Sequence, residues 1–445
     1  MAGATRRDAC ARSHGRPNSV TRRLVFPIPT VRHSASWLDL ARRVMRRDVV
    51  FICLVIFCAD VWSGILSPTF SAHARSLGAS LAMIGLLGSV GGLTQILAGM
   101  PIGLASEATG RKRMLTWGML LLAAAAAVYS VAPRAVFLLP GRVLSGLGMV
   151  CVYTLGTAYV SDITAPDERG LAFGLYTTSM GLGFAIGPLL GAAVASRFGL
   201  PGSYLFGASV AAAGALLAAK TLKGIRPRQR VAGLSAWETR KDILPLLRNR
   251  GLMAGALGSL LMSSTFAGVV AGFFPLYART LLVPQAVING MFSVRAFGSS
   301  LARLPSGTLA TRVPSRLVVM GALLLSMLAV FGMSNTSDAR SLALFLLLEG
   351  IAFGMYLPAG QVFVSQNCSP ATRGGAVALY STAGSVGGTL SPLILGLVAE
   401  VWGIRAVFRL TAVCILLGVA WMTWWHARST IAPAPVEGSA GQAGD

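Results

Sequence analysis

The chain has 445 residues, of which 54% are hydrophobic and 12% are charged, and its mean hydropathy is +0.68. Soluble domains carry about 25% charged residues, so this composition excludes an ordinary soluble protein. Apolar runs recur at about the 20-residue length that a helix needs to cross a bilayer. Period-two alternation, which is typical of a membrane barrel, is absent. We therefore predict an integral membrane protein built from helices, because backbone groups in lipid need internal hydrogen-bond partners.

The net charge of +23 is concentrated in the N-terminal tail and in alternate connections between apolar runs. The even-numbered connections hold fifteen Lys and Arg residues, whereas the odd-numbered ones hold six. This asymmetry matches the positive-inside rule and argues against a nucleic-acid partner. It predicts that both termini and the central connection are cytoplasmic.

Residues 1–47 form a polar tail with eleven arginines and two acids. We predict a disordered cytoplasmic tail. Two alternatives stay open: an organelle transit peptide, since the tail is rich in Arg and Ser, and a true translation start at Met45. At the other end, residues 426–445 are predicted to be a disordered tail.

Twelve spans are predicted between the tails, with short connections except for the basic segment 221–251. This long segment divides the chain into two six-helix bundles, 48–220 and 252–425. The predicted spans are 49–70, 80–104, 114–132, 136–159, 171–195, 203–220, 252–275, 286–309, 317–335, 341–364, 375–398 and 404–425.

The sequence contains none of the Cys, His or Lys patterns that are typical of metal sites or nucleotide-binding enzymes. The six cysteines show no metal-ligand spacing, and none of the four histidines lies in a span. None of the four lysines completes a phosphate-binding loop. We predict no enzyme activity, no cofactor and no metal site, so energy must come from an ion gradient, a substrate gradient or a partner subunit.

The connection from Pro101 to Arg113 reads Pro-Ile-Gly-Leu-Ala-Ser-Glu-Ala-Thr-Gly-Arg-Lys-Arg. It resembles the signature of the major facilitator superfamily, Gly-x-x-x-Asp-(Arg/Lys)-x-Gly-Arg-(Arg/Lys). The matching residues are Gly103, Gly110, Arg111 and Lys112. Glu107 replaces the acid, and Ala108 replaces a cation. The resemblance implies a gating loop and twelve helices in two pseudo-symmetric six-helix bundles.

A second copy of this region occurs 204 residues later, with Pro305 and Gly307 matching Pro101 and Gly103. The copy is eroded, because Thr311 stands at the acid position and Pro314 replaces the second glycine. The predicted second-half gate consists of Arg303, Gly307 and Arg312. The shift also relates Pro188 to Pro392, which extends the tandem repeat through the halves and fits an axis along the membrane normal.

Ionisable residues inside the spans are candidates for proton coupling. Asp60 and Glu349 are the only acids well inside spans, and the resemblance places them on cavity-lining helices. Arg142 opens an Arg-x-x-x-Gly-x-Gly element of the family and requires an acidic or carbonyl partner. We predict proton coupling by Asp60, Glu349 and Arg142; the alternative is a permanent ion pair of these acids with Arg142 or Arg295.

The fifth span resembles the family's antiporter-associated motif Gly-x-x-x-Gly-Pro-x-x-Gly-Gly. The matching residues are Gly183, Gly187, Pro188 and Gly191, with Ala192 in place of the last glycine. Glycines four residues apart let another helix approach closely, and proline favours a bend. Plain close packing is the alternative to an antiport role.

Four further residues are candidates for substrate binding: Arg295, Tyr153, Tyr356 and Gln361. Aromatic and amide side chains suit substrates of mixed polarity. Arg295 is predicted either to bind an anionic substrate or to balance an acid.

These features predict a proton-coupled transporter that exports a small organic molecule, a drug or a metabolite, by alternating access. The predicted partners are the lipid bilayer, a small-molecule substrate and protons, for a monomer in a bacterial inner membrane. One alternative is a proton-coupled importer of a sugar or organic acid. Another is a non-transporting receptor or scaffold.

Overall fold

The computed structural model describes residues 44–165, 168–224, 246–368 and 372–430, apart from some side chains within the helices. Most of the predicted N-terminal tail, central connection and C-terminal tail lies outside these ranges. The described residues form helices and short connections, with no strand. The predicted all-α class is therefore confirmed.

Twelve long helices run along the described residues in chain order, and a short helix, Phe70–Ser76, lies between the first two. Several contain short irregular turns, such as the π-helical stretches Val150–Thr154 and Thr265–Phe273. The helices are α1 Arg47–Leu66, α2 Leu81–Thr109, α3 Arg111–Val131, α4 Ala135–Ile163, α5 169–198, α6 200–221, α7 Arg250–Thr280, α8 Gln285–Arg312, α9 Ser315–Asn335, α10 Ala339–Gln366, α11 Arg373–Trp402 and α12 Ile404–Thr430.

Three of these helices need comment as membrane spans. Helices α5 and α6 are continuous in hydrogen bonding across Arg169–Thr221, but Gly199 has φ 70° and ψ −178°, which only glycine adopts readily and which separates the two. Ten helices among the described residues are long and apolar enough to span a bilayer when this pair is counted once. Helix α8 is outside that set because its arginines lower its hydropathy.

We name the two ends of the bundle by their connections. The linker end is where α6 ends at Thr221 and α7 begins at Arg250. The far end is where α2 begins at Leu81 and α11 ends at Trp402. Antiparallel neighbours joined by short connections fix which end each helix terminus occupies.

Glycine faces bring helix backbones together inside each half. A Cβ on Gly187 would lie 2.5 Å from the Val61 carbonyl oxygen, so α5 can pack on α1 only without a side chain there. In the second half, a Cβ on Gly387 would lie 2.3 Å from the Leu260 carbonyl oxygen, which packs α11 on α7 in the same way. The glycine motif of the fifth span therefore forms a close helix contact.

The halves meet near the far end through two equivalent contacts. Between α11 and α2, the Leu393 N–H donates to Ser89 Oγ at 3.0 Å. Between α8 and α5, Asn289 Nδ2 donates to the Pro188 carbonyl oxygen at 3.1 Å. Asn289 lies 204 residues after Gly85, whose Cβ position would meet the Pro392 carbonyl oxygen. Residues related by the shift of 204 thus form a pseudo-symmetric pair of contacts.

Towards the linker end, α2 faces open space. A Cβ on Gly99 or on Gly103 would have no neighbouring atom within 4 Å. On the same helix, a Cβ on Gly92 would lie 2.4 Å from Thr389 Oγ1 of α11. The halves are therefore closed together near the far end, whereas these two positions of α2 nearer the linker end contact nothing.

The α1–α5 contact predicts a sharp difference between two glycines of α5. Gly187→Ala should destabilise the protein by about 1–3 kcal/mol, because the methyl group overpacks against the Val61 carbonyl. Gly174→Ala is the matched control, because a Cβ there meets no atom within 4 Å, and alanine should gain up to about 1 kcal/mol in helix propensity. Thermal unfolding of the two purified variants measures this; equal midpoints would contradict the contact.

Candidate functional site

The candidate site is a cavity of about 230 Å³ between the halves. Asp60 and Tyr153 contribute from the first half, whereas Arg295 and Arg303 contribute from the second. A cavity of about 710 Å³ adjoins it, since both are lined by Tyr153, Phe266 and Phe353. The remaining lining residues of the smaller cavity are Ser63, Met180, Gly181, Phe184, Ala296, Ser299 and Ser300.

Asp60 is a buried acid, and its position follows from the glycine face of α5. A Cβ on Gly183 would lie 2.9 Å from the Asp60 Cβ, so glycine at 183 gives this side chain its room. Asp60 is 6% exposed, and its Oδ2 has no hydrogen-bond partner among the described residues. The Tyr153 hydroxyl lies within hydrogen-bonding reach of the carboxylate. Asp60 forms none of the ion pairs seen among the described residues.

Glu349, the second intramembrane acid, is in a different state. Its Oε2 accepts from Arg295 Nε at 2.5 Å, and both side chains are almost fully buried. The Arg295 guanidinium also lies 4.8 Å from the Phe266 ring centroid and 5.3 Å from that of Phe353. This contact matches the alternative in which Glu349 pairs with Arg295, and proton coupling by Glu349 stays a prediction.

Arg142 lies apart from both acids. Its guanidinium is 3.7 Å from the ring centroid of Phe70, and the Tyr129 hydroxyl is within hydrogen-bonding reach. An aromatic face attracts a cation through its ring quadrupole. The sequence predicts an acidic or carbonyl partner for Arg142, whereas the structure provides a ring and a hydroxyl. Arg142 lines the larger cavity, which extends towards the far end.

Arg303 lines the smaller cavity with Arg295 and Ser299. These three residues follow one another at four-residue spacing on α8, which places them along one side of the helix. Arg303 interacts electrostatically with both Asp60 and Arg295. The sequence assigns Arg303 to the second-half gate, but its side chain lies in the cavity. The surroundings of Gly307 and Arg312 are outside the described part of α8, and their gating role stays a prediction.

The gating loop turns sharply at Gly110, which has φ 87°. Arg111 Nε forms an ion pair with Asp162 Oδ2 of α4 at 2.7 Å. Glu107 and its neighbour Ala108 are exposed. The sequence predicts that Glu107 meets the loop cations or a neighbouring helix, but Arg111 is paired with Asp162, which the motif did not identify. The gating role of Gly103, Glu107 and Lys112 stays a prediction.

The remaining candidates separate into cavity and packing positions. Gln361 lines the larger cavity. Tyr356 lines neither cavity, since its hydroxyl donates to the Gly255 carbonyl at 3.4 Å and its ring stacks on Tyr380 at 6.4 Å. Gly191 faces Ile65 and Ser203, where a Cβ would have ordinary to tight contacts of 3.3–3.4 Å. Tyr153 is the candidate that contacts both cavities and an acid.

The arrangement of two helical halves around a central polar cavity defines a multi-pass membrane transporter. The family model of the Major Facilitator Superfamily matches residues 51–282 and 256–443. The chain belongs to the major facilitator superfamily, which confirms the resemblance carried by the loop motif and the repeat.

Relatives cover nearly the whole chain at low identity. The multidrug resistance protein MdtG of Citrobacter koseri is 26% identical over 87% of this chain and 97% of its own length. Multidrug resistance protein 2 of Bacillus subtilis is 22% identical over 89% of this chain and 100% of its own. The crystal structure of a mutant of the nucleoside transporter NupG matches with a TM-score of 0.75 at 15% identity, covering 85% of this chain and 99% of that one.

The buried ion pair predicts how the stability of a single variant and a double variant should differ. Glu349→Gln should lower the free energy of unfolding by about 3–5 kcal/mol, because it leaves the Arg295 charge buried without its partner. The double variant Arg295→Met with Glu349→Leu should recover most of this loss, since two apolar side chains replace the pair. Thermal unfolding in detergent measures both, and a stable Glu349→Gln protein would contradict a fixed pair.

Proposed function

We propose that this chain is a secondary transporter that exports a small organic molecule in exchange for protons. The observation that carries the proposal is the unpaired carboxylate of Asp60, buried in a cavity that lies between the two halves. In this proposal, bundles 48–220 and 252–425 tilt against each other and expose the cavity to each side in turn. The protein acts as a monomer in a bacterial inner membrane.

The linker end is assigned to the cytoplasm because it carries most of the cations of the connections. With this orientation both termini are cytoplasmic. The opening along Gly99 and Gly103 then faces the cytoplasm, while the contacts at the far end close the periplasmic side. In this proposal the molecule faces inward and is ready to accept a substrate from inside the cell.

Asp60 is the proposed proton carrier, and Glu349 is proposed to stay ionised. Burial favours the neutral form of a carboxyl group, whereas a directly bonded arginine favours the charged form. Asp60 is buried and forms no ion pair, although Arg303 lines the same cavity, whereas Glu349 is bonded to Arg295. Tyr153 lines the cavity beside Asp60, and Asp60 Oδ2 has no hydrogen-bond partner among the described residues. A substrate that donates to this oxygen competes with the proton, and this competition is what exchange requires.

The direction of transport is supported by the relatives whose names include multidrug resistance. It is also supported by the antiporter-associated motif at Gly183–Gly191, which packs beside Asp60. The aromatic lining from Phe184, Phe266 and Phe353 suits an apolar body on the substrate.

Substrates can be found by thermal stabilisation of the purified protein with a compound library, followed by counterflow in proteoliposomes. With a pH dye trapped inside the vesicles, substrate entry should drive protons out. Asp60→Asn should retain counterflow and lose proton movement, whereas Asp338→Asn, outside the cavity, should retain both. Proton movement that survives Asp60→Asn would contradict the assignment, and transport without any proton movement would contradict exchange.

A second candidate is cotransport of an organic acid with a proton, and Arg303 is the observation that favours it. When Asp60 is neutral and Glu349 is paired with Arg295, the charge of Arg303 is left without a neighbouring acid. An anion would then bind best together with the proton. The same vesicle assay separates the candidates, because protons would enter with the substrate instead of leaving.

A further inference from the structure

Glu400 joins the two halves at the far end of the bundle. It lies near the end of α11, and its Oε2 accepts from the backbone N–H groups of Leu81 at 2.8 Å and Ala82 at 3.2 Å. Leu81 and Ala82 are the first residues of α2, in the other half. We propose that Glu400 is a latch that holds the far end closed and sets how often the transporter opens there.

The first turn of α2 shows why this acid matters. The initial N–H groups of a helix have no partner within the helix, and a negative charge near them is favourable. Ser80 Oγ accepts from the Met83 N–H at 3.1 Å, so the helix's own cap serves one group. The first two N–H groups, those of Leu81 and Ala82, depend on Glu400. The capping of α2 is therefore complete only while the halves are together.

Opening the far end must break these bonds. The backbones of α2 and α11 are in direct contact beside the latch, since a Cβ on Gly396 would lie 2.9 Å from the Gly85 Cα. When these helices separate, Glu400 and two N–H groups of α2 must find water instead. The latch therefore favours the closed far end by the difference in free energy between these bonds and the hydrogen bonds to water that replace them.

The latch exists on one of the two pseudo-symmetric contacts. The shift of 204 relates Glu400 to Ser196 and Leu81 to Gln285. Ser196 Oγ donates to the Ala193 carbonyl of its own helix, and Gln285 Nε2 donates to the Pro68 carbonyl at 3.0 Å. At this level α8 therefore joins the first half through neutral groups, Gln285 and the Pro68 carbonyl, whereas the α2–α11 contact uses a charge. Removing the charge should loosen one side of the far end selectively.

The test measures distance across the far end without substrate or proton gradient. Spin labels at positions 134 and 405, both exposed, report on the first and second halves in a full-length protein without native cysteines. In lipid nanodiscs, Glu400→Gln should raise the ratio of open to closed far ends by about two- to fivefold, the range expected for one charge at a helix end. Glu400→Ala should do the same.

Asp338 provides the matched control. Its Oδ2 accepts from the Ser341 N–H at 2.8 Å at the start of α10, within one half. This bond holds the pKa of Asp338 below its ordinary value. Asp338→Ala should lower the thermal midpoint but leave the distance distribution unchanged.

Unchanged distances in both Glu400 variants, or an equal change in Asp338→Ala, would overturn the latch. The inference rests on alternating access, which is part of the proposed function, but not on the substrate or on Asp60. If Asp60→Asn retains proton movement while Glu400→Gln still opens the far end, the proton assignment fails and the latch stands. If Asp60→Asn abolishes proton movement while Glu400→Gln leaves the distances unchanged, only the latch is overturned.

Discussion

The close approach of helix backbones through glycine is the constraint on which this structure depends. In lipid there is little hydrophobic drive between helices, so association depends on packing that large side chains would prevent. Within the first half, Gly183 and Gly187 admit the backbone of α1 near Phe57 and Val61. Between the halves, Gly85 and Gly396 do the same for α2 and α11. These contacts decide both where Asp60 lies and where the halves can separate.

The same scaffold places two intramembrane acids in opposite electrostatic situations. Glu349 forms an ion pair with Arg295 beside two aromatic rings, whereas Asp60 forms no ion pair and shares its cavity with Tyr153 and, farther off, Arg303. A buried ion pair resists a change of charge, because removing one partner leaves the other uncompensated. An unpaired carboxyl group has no such constraint. The division of labour between the acids thus follows from what each one contacts.

Most of the helical architecture follows from the sequence, since span length, loop charge and the repeat act locally or at a fixed shift. Even α8, which is too charged to qualify by hydropathy, is identified by its match to α2. Individual contacts are harder to predict. The pairing of Arg111 with Asp162 joins residues 51 positions apart, and Phe70 and Arg142 meet across a larger distance. Such partners depend on helix rotation and tilt, for which the sequence has no comparable signal.

The repeat keeps the helix packing the same in the two halves, but the charged residues differ between them. A Cβ on Gly146 would lie 2.7 Å from the Gly91 carbonyl oxygen. A Cβ on the equivalent Gly350 would lie 2.5 Å from the Arg295 carbonyl oxygen.

The backbones of α2 and α8 therefore pack on their partners in the same way, while glycine at 91 has become arginine at 295. Likewise Gly99, which faces open space, corresponds to Arg303 in the cavity. In the smaller cavity the first half provides the single acid, Asp60, and the second half provides the cations Arg295 and Arg303. This cavity thus combines both signs of charge because the two halves face each other there, and tilting them changes its lining.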